Sequence, residues 1–204
     1  MIPYELIATV ATFAFITSAT PGPNNIMLTA SGANFGFSRT LPHIAGIVIG
    51  VALMNLGAGL GLGTLFTQAP VLQEILRVLG SAYLLWLAYK LLNFSVMGDS
   101  SEGSGKPFTL LQATAFQYVN PKAWIMVISA NASFSLADGD YWVSVAMITL
   151  AFVLIGTPSI MMWAGFGQYI KKYLNSPKNL RVFNVCMTLL TVYCIVFIWI
   201  DPAA

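Results

Sequence analysis

Polar and apolar positions alternate on a long scale in this chain of 204 residues: extended uncharged stretches are separated by short clusters of turn-forming residues. Glu5 to Arg39 encloses 33 uncharged residues, Arg39 to Glu74 encloses 34, Asp140 to Lys171 encloses 30 and Arg181 to Asp201 encloses 19. A helix crosses about 30 Å of hydrocarbon with roughly 20 residues, so each stretch is long enough to span a bilayer. The breaks between them predict six helices, at about 4–33, 42–66, 71–93, 108–131, 141–168 and 180–200. Phe37-Ser38-Arg39-Thr40 reads as the first break, with Pro42 as a first-turn proline whose missing N–H has no helical partner anyway. The others are Thr67-Gln68-Ala69-Pro70, the Gly/Ser-rich run 98–107, Asp138-Gly139-Asp140 and the segment from Lys171 to Pro177.

Leu6 to Ile16 and Val182 to Ile200 are apolar on nearly every side, whereas strands of a membrane barrel would alternate over about ten positions. The predicted fold is therefore an all-α polytopic membrane protein. Composition agrees: 57% of residues are hydrophobic and 8% charged, against about 25% charged in a soluble domain. Disorder needs low hydrophobicity and nucleic-acid binding needs clustered basic residues; neither is present. Residues 94–107 are too short for a domain, so residues 1–204 read as one transmembrane domain with a cytoplasmic linker there. The first apolar stretch far exceeds the apolar region of a secretory leader and has no basic residue before it, so no leader is expected.

Scarcity of charge makes the position of each basic residue informative. Arg39, Lys90, Lys106, Lys171, Lys172, Lys178 and Arg181 fall on the side of the odd-numbered loops, and only Arg77 falls on the other. Positive charge favours the cytoplasmic side, so both termini are expected outside a bacterial-type inner membrane. Lys122, the ninth basic residue, lies inside helix four, roughly 21 Å from its start. An ionisable group at that depth is a functional candidate, with snorkelling to an interface as the alternative.

Helix one would be about 45 Å long if unbroken from 4 to 33, and it carries Thr20-Pro21-Gly22-Pro23-Asn24-Asn25 in its middle. Two prolines remove donors and glycine loosens the chain, so the helix must break there. Helix four has Asn120-Pro121-Lys122 at the same ordinal place. Three helices per half force the second half to enter from the opposite side, giving inverted repeats at about 4–93 and 108–200. Interrupted helices in matching positions of such halves point to a transporter's binding site. Half-helix N-termini attract a carboxylate, Asn24, Asn25 and Asn120 add neutral hydrogen-bonding groups, and Lys122 adds a charge. These features suit a small polar or zwitterionic solute. Gly46-x-x-x-Gly50 and Gly57-x-x-x-Gly61 in helix two read as close-packing positions.

Thr20-Pro21-Gly22-Pro23-Asn24, Gly80-x-x-Tyr83-Leu84-x-x-Leu87 and Asn120-Pro121-Lys122 resemble the three signatures of the LysE/RhtB family of amino-acid exporters. The likeness extends over the whole chain. Gly80 to Ala88, Phe116-Gln117-Tyr118-Val119-Asn120 and Val192-Tyr193-Cys194 look most like the cysteine/O-acetylserine exporter branch. The resemblance implies proton-driven efflux of small neutral amino acids by alternating access. It implies substrate contacts at Pro21, Gly22, Pro23, Asn24, Asn120, Pro121 and Lys122, to which Thr20, Asn25 and Gln117 are added as neighbours in the motifs. The partners are then an amino-acid substrate, a proton and the lipid bilayer, with a homodimer as one option for assembly. No cofactor, metal or catalytic residue is expected.

The rival readings are weaker. A membrane serine protease would need a serine and histidine pair, but His43 is the single histidine and no Gly-x-Ser-x-Gly occurs. An aspartyl protease needs paired carboxylates, and all seven acidic residues fall at helix ends or in loops. A cation exporter or channel would need oxygen ligands at depth, where the chain offers Asn55, Asn120, Asn131 and hydroxyls but no carboxylate. His43 reads as a solvated or capping residue ahead of a proton-carrying role, for which its titration range is suited. Cys186 and Cys194, about 12 Å apart along one helix, cannot pair and read as core residues.

Overall fold

The computed structural model describes residues 3–62, 68–92, 106–136, 140–174 and 176–200. Regular structure among the described residues is helical throughout, without strands. Helix α1 spans Tyr4–Ala19 and α2 spans Pro23–Phe35. Between them Thr20 is extended at φ −65°, ψ 141°, and Gly22 at φ −177°, ψ 177°, while Pro23 opens α2 as its first residue. The two axes bend by 60° at this break, as the prolines require.

A single glycine makes the next turn. Gly36, at φ +85°, ends α2 and begins α3, Phe37–Gly57, which runs on through a π turn at Ala58–Leu62 containing Gly61 at φ +95°. Only glycine takes such φ values freely. The expected start at residue 42 is corrected accordingly: Ser38, Arg39 and Thr40 are helical, and Pro42 lies inside the helix. The turn needs no further loop residues because Thr40 Oγ1 donates to the Gly36 carbonyl at 2.9 Å and Gln168 accepts from the Phe37 N–H.

Helix α4 spans Pro70–Leu92. Helix α5, Leu110–Val119, starts on a capping box in which Thr109 and Gln112 each bond the other's backbone N–H. Asn120 is extended at φ −92°, ψ 106°, and Pro121 opens α6, Pro121–Phe134, so the second predicted break also forms. Helix α7, Tyr141–Ala151, passes through a π turn, Phe152–Gly156, into α8, Thr157–Lys171. Helix α9 spans Pro177–Ile200. Phe37–Leu62, Tyr141–Lys171 and Pro177–Val196 are long and apolar enough to cross a membrane, and the bent pair α1 and α2 passes the same test when its two helices are taken together. Helices α5 and α6, of 10 and 14 residues, are each shorter than the ~20 that a crossing takes.

The principal packing partners are α2 with α8, α3 with α5, and α4 with α9. Glycines set the spacing. A methyl group added at Gly46 would meet the Leu110 carbonyl and the Ala113 side chain, and one at Gly50 would lie 2.5 Å from Gln117 Cγ, so this pair seats α5 on α3. Gly80 in α4 lies against the Val119 carbonyl at the second break, which gives the middle signature motif a packing role. The core runs from Val10 and Ala14 through Leu28, Ile47 and Met54 to Val127 and Ile148. Leu53, Leu79, Leu85, Leu150, Leu154 and Leu189 are exposed, an apolar exterior that fits lipid and not water.

Two side-chain assignments change. Cys186 is exposed and Cys194 half-buried, so Cys186 faces outward and is not a core residue. His43 is buried, with both ring nitrogens unpartnered, and stacks on Phe108 at 5.0 Å between ring centroids. It is neither solvated nor a cap, because α3 begins six residues before it and carries it inward.

Candidate functional site

Breaking a helix in the membrane releases carbonyl groups, and each must find a donor or water. At the first break every one is accounted for. Thr20 N–H donates to Ile16 O at 2.9 Å, and Thr20 Oγ1 to Thr17 O at 2.9 Å. Asn25 Nδ2 reaches both Ser18 O and Thr20 O at 2.8 Å, and Trp163 Nε1 of α8 reaches Ala19 O at 3.1 Å. Gly22 O accepts from Ile26 N–H at 3.0 Å.

Lys122 completes this set from the other half of the chain. Its Nζ donates to Thr20 O at 2.6 Å, Thr20 Oγ1 at 3.0 Å and Pro21 O at 3.3 Å. The ammonium is thus turned toward the helix-one break, where three acceptors match its three donors. A methyl group at Gly22 would sit 2.8 Å from Lys122 Cδ and 3.0 Å from Nζ, so glycine at this position seats the lysine. A second bridge joins the same elements. Asn24 Nδ2 donates to Gln117 Oε1 at 2.8 Å, and Gln117 Nε2 donates back to Asn24 Oδ1 at 3.2 Å and to Ala113 O at 2.9 Å.

These elements surround a cavity of about 540 Å³ including its mouth. Gly22, Asn24, Asn25, Asn120 and Lys122 line it, with an apolar wall that includes Ile47, Val51, Met126, Phe152 and Ile160. Lys122 is the charged residue of the lining. The remaining predicted site residues lie just behind: Thr20 and Pro21 supply oxygens to Lys122, Gln117 holds Asn24, and Pro23 and Pro121 are buried first-turn residues. Asn55 and Asn131, the deep oxygens considered for a cation, lie outside the lining. Asn131 Nδ2 donates to Asn55 Oδ1 at 2.7 Å, and Asn55 Nδ2 donates to Thr149 Oγ1 at 2.6 Å, so they tie α3, α6 and α7 together.

The apolar segment Tyr141–Lys171 contributes a wall that sequence reasoning missed. Phe152, Gly156, Thr157 and Ile160 line the cavity from the π turn and the start of α8, and Gly156 is close enough to the first break that a methyl group there would lie 2.9 Å from Ser18 Oγ. Gly156-Thr157-Pro158 inside an apolar span was the available signal, since π turns concentrate at functional positions.

A family profile for LysE type translocators matches residues 15–200. The chain is similar to the cysteine/O-acetylserine efflux proteins of Escherichia coli (strain K12) and Shigella sonnei (strain Ss046). Each is 30% identical over 195 residues, 95% of this chain and 97% of the relative. No solved structure matches.

Proposed function

Because this chain belongs to the LysE type translocator family, and is thereby a transporter and not an enzyme, we propose that it exports small neutral amino acids or their derivatives across the inner membrane. The relatives' efflux of cysteine and O-acetylserine sets the expected substrate class. The observation that carries the reading is the junction of the two helix breaks at one cavity, tied by Lys122 to Thr20 and Pro21 and by Gln117 to Asn24. A cavity with one cation, several carboxamides and an apolar wall suits a zwitterion with a small uncharged side chain.

Six spans in two inverted halves fit the packing. The first broken helix leans on span five through α2 and α8, the second on span two through α5 and α3, and span three on span six through α4 and α9, the exchange of partners that a two-fold axis in the membrane plane would give. Transport then follows by alternating access. A substrate carboxylate is a stronger acceptor than a carbonyl and draws Nζ of Lys122 from Thr20 and Pro21, which frees the end of α1 to move against the second half. Proton coupling belongs to this reading as the driving force.

The test is efflux from vesicles loaded with a panel of labelled amino acids, with and without an imposed proton gradient. Efflux of cysteine, O-acetylserine, homoserine or threonine that a gradient accelerates is expected, whereas movement of inorganic cations alone would replace this reading with a channel. Orientation has its own test. A reporter fused after Ala204 should read as extracytoplasmic, in keeping with the seven-to-one distribution of basic residues, and a cytoplasmic signal would overturn the arrangement with both ends outside.

A further inference from the structure

Helical hydroxyls in this chain generally return to the backbone of their own helix: Thr12, Thr17, Thr29, Ser159 and Thr191 all donate to the carbonyl four residues back. Thr157 does not. Its Oγ1 is buried and has no hydrogen-bond partner, although Ser159, two residues on, bonds Ile155 O at 3.0 Å. The π turn Phe152–Gly156 immediately precedes Thr157 and alters the ladder to which its hydroxyl would otherwise return.

Asn120 shows the same condition at the second break. It is 2% exposed, its backbone is bonded to Gln117, Ala123 and Trp124, yet its side-chain Oδ1 has no partner. Among the described residues, several buried polar side-chain atoms are unpartnered, and Asn120 and Thr157 are the two residues carrying such an atom that also line the cavity. Unsatisfied buried polar atoms are rare in folded proteins and call for an explanation. Both atoms offer lone pairs and neither carries a charge.

We propose that Asn120 Oδ1 and Thr157 Oγ1 form the subsite for the substrate's α-ammonium group, resting on the exporter reading above. The opposite end of the zwitterion is matched by Lys122 and by the N-terminal turn of α2, where the N–H groups of Asn24 and Asn25 have no partners within the helix. An α-ammonium is attached one carbon from the carboxylate, so a ligand whose carboxylate meets Lys122 presents its donors to the same cavity. Neutral acceptors accommodate an ammonium without the carboxylate that a cation channel or a site for basic side chains would use. The specificity this creates is for the amino group itself, with the side chain left to the apolar wall.

The test uses purified full-length protein in nanodiscs and two probes, O-acetyl-L-serine and 3-acetoxypropanoate, which differ only in the α-amino group. Wild type is expected to bind the amino acid at least tenfold more tightly, in line with the strength of hydrogen bonds to charged groups. Thr157→Val should bring that ratio close to one by weakening the amino acid alone, and Thr157→Ser, which keeps the hydroxyl, should restore it. Valine matches threonine in shape, so the variant is expected to elute as wild type on gel filtration. Asn120→Leu should lower the ratio as well. An unchanged ratio in Thr157→Val, or an equal loss for both probes, would overturn the subsite while leaving the exporter reading in place. Failure of wild type to bind either probe would overturn the exporter reading and the subsite with it.

Discussion

Efflux should fall to background in a Lys122→Ala variant that still accumulates in the membrane like wild type. The ammonium makes three hydrogen bonds to the helix-one break, and bonds to charged groups contribute about 1.5–3 kcal/mol each. Their loss does not strand the released carbonyls, because the cavity that Lys122 lines can supply water to Thr20 O and Pro21 O, so insertion and folding survive. What disappears is the cation that a substrate carboxylate meets and the link that couples the second half to the end of α1. Lys122→Met separates charge from volume: it keeps an unbranched stem against Gly22, where the lysine fits closely, and removes the ammonium. The same loss in both variants assigns the effect to charge. Vesicle efflux of labelled substrate, normalised to protein recovered in the membrane, is the measurement, and wild-type rates from Lys122→Ala would sink the proposed site.

Both breaks were legible because Pro21, Gly22, Pro23 and Pro121 act locally: a missing donor and a loosened backbone end a helix wherever they occur. The groups that repair the break were not legible, since Lys122 reaches Thr20 across 102 positions and Trp163 reaches Ala19 across 144. The π turn at Phe152–Gly156 left no trace in the hydropathy, because one extra residue in an apolar span leaves the span apolar. The turn at Gly36 is narrower than the polar pattern suggests for a similar reason. The polar run Ser38-Arg39-Thr40 suggests a loop, while one glycine at positive φ suffices. The surroundings of His43 and Cys186 are not legible in the sequence, because a helix that is apolar all round does not reveal which side meets lipid and which meets protein. Asn24, Asn25, Asn120 and Lys122, by contrast, all line the cavity, since residues flanking a helix break in lipid have few other places to go.

Gly167→Leu should cause the largest loss of stability, and the reason lies in how α2 meets α8. A methyl group at Gly167 would run into the backbone of Thr29, with Ala33 N at 2.9 Å, and one at Gly32 would run into the Ala164 carbonyl. The two helices therefore touch backbone to backbone at both glycines, and neither contact can be relieved by rotating a side chain. Helices in a bilayer gain no hydrophobic energy by associating, so close packing of this kind is what holds them. A leucine at 167 must push α8 off α2. That separates Trp163 from Ala19 and from Thr29, whose hydroxyl bonds Trp163 O at 3.3 Å, and draws Thr157 away from the cavity it lines. Overpacking costs about 1–3 kcal/mol where side chains can adjust; a backbone contact that cannot adjust should reach or exceed the top of that range, read as a lowered thermal midpoint and a collapsed yield of monodisperse protein. Gly165→Leu is the control, since a methyl group there meets nothing within 4 Å and the variant should behave as wild type. Equal damage from Gly165→Leu would mean that glycine in α8 matters for its backbone and not for its contact with α2.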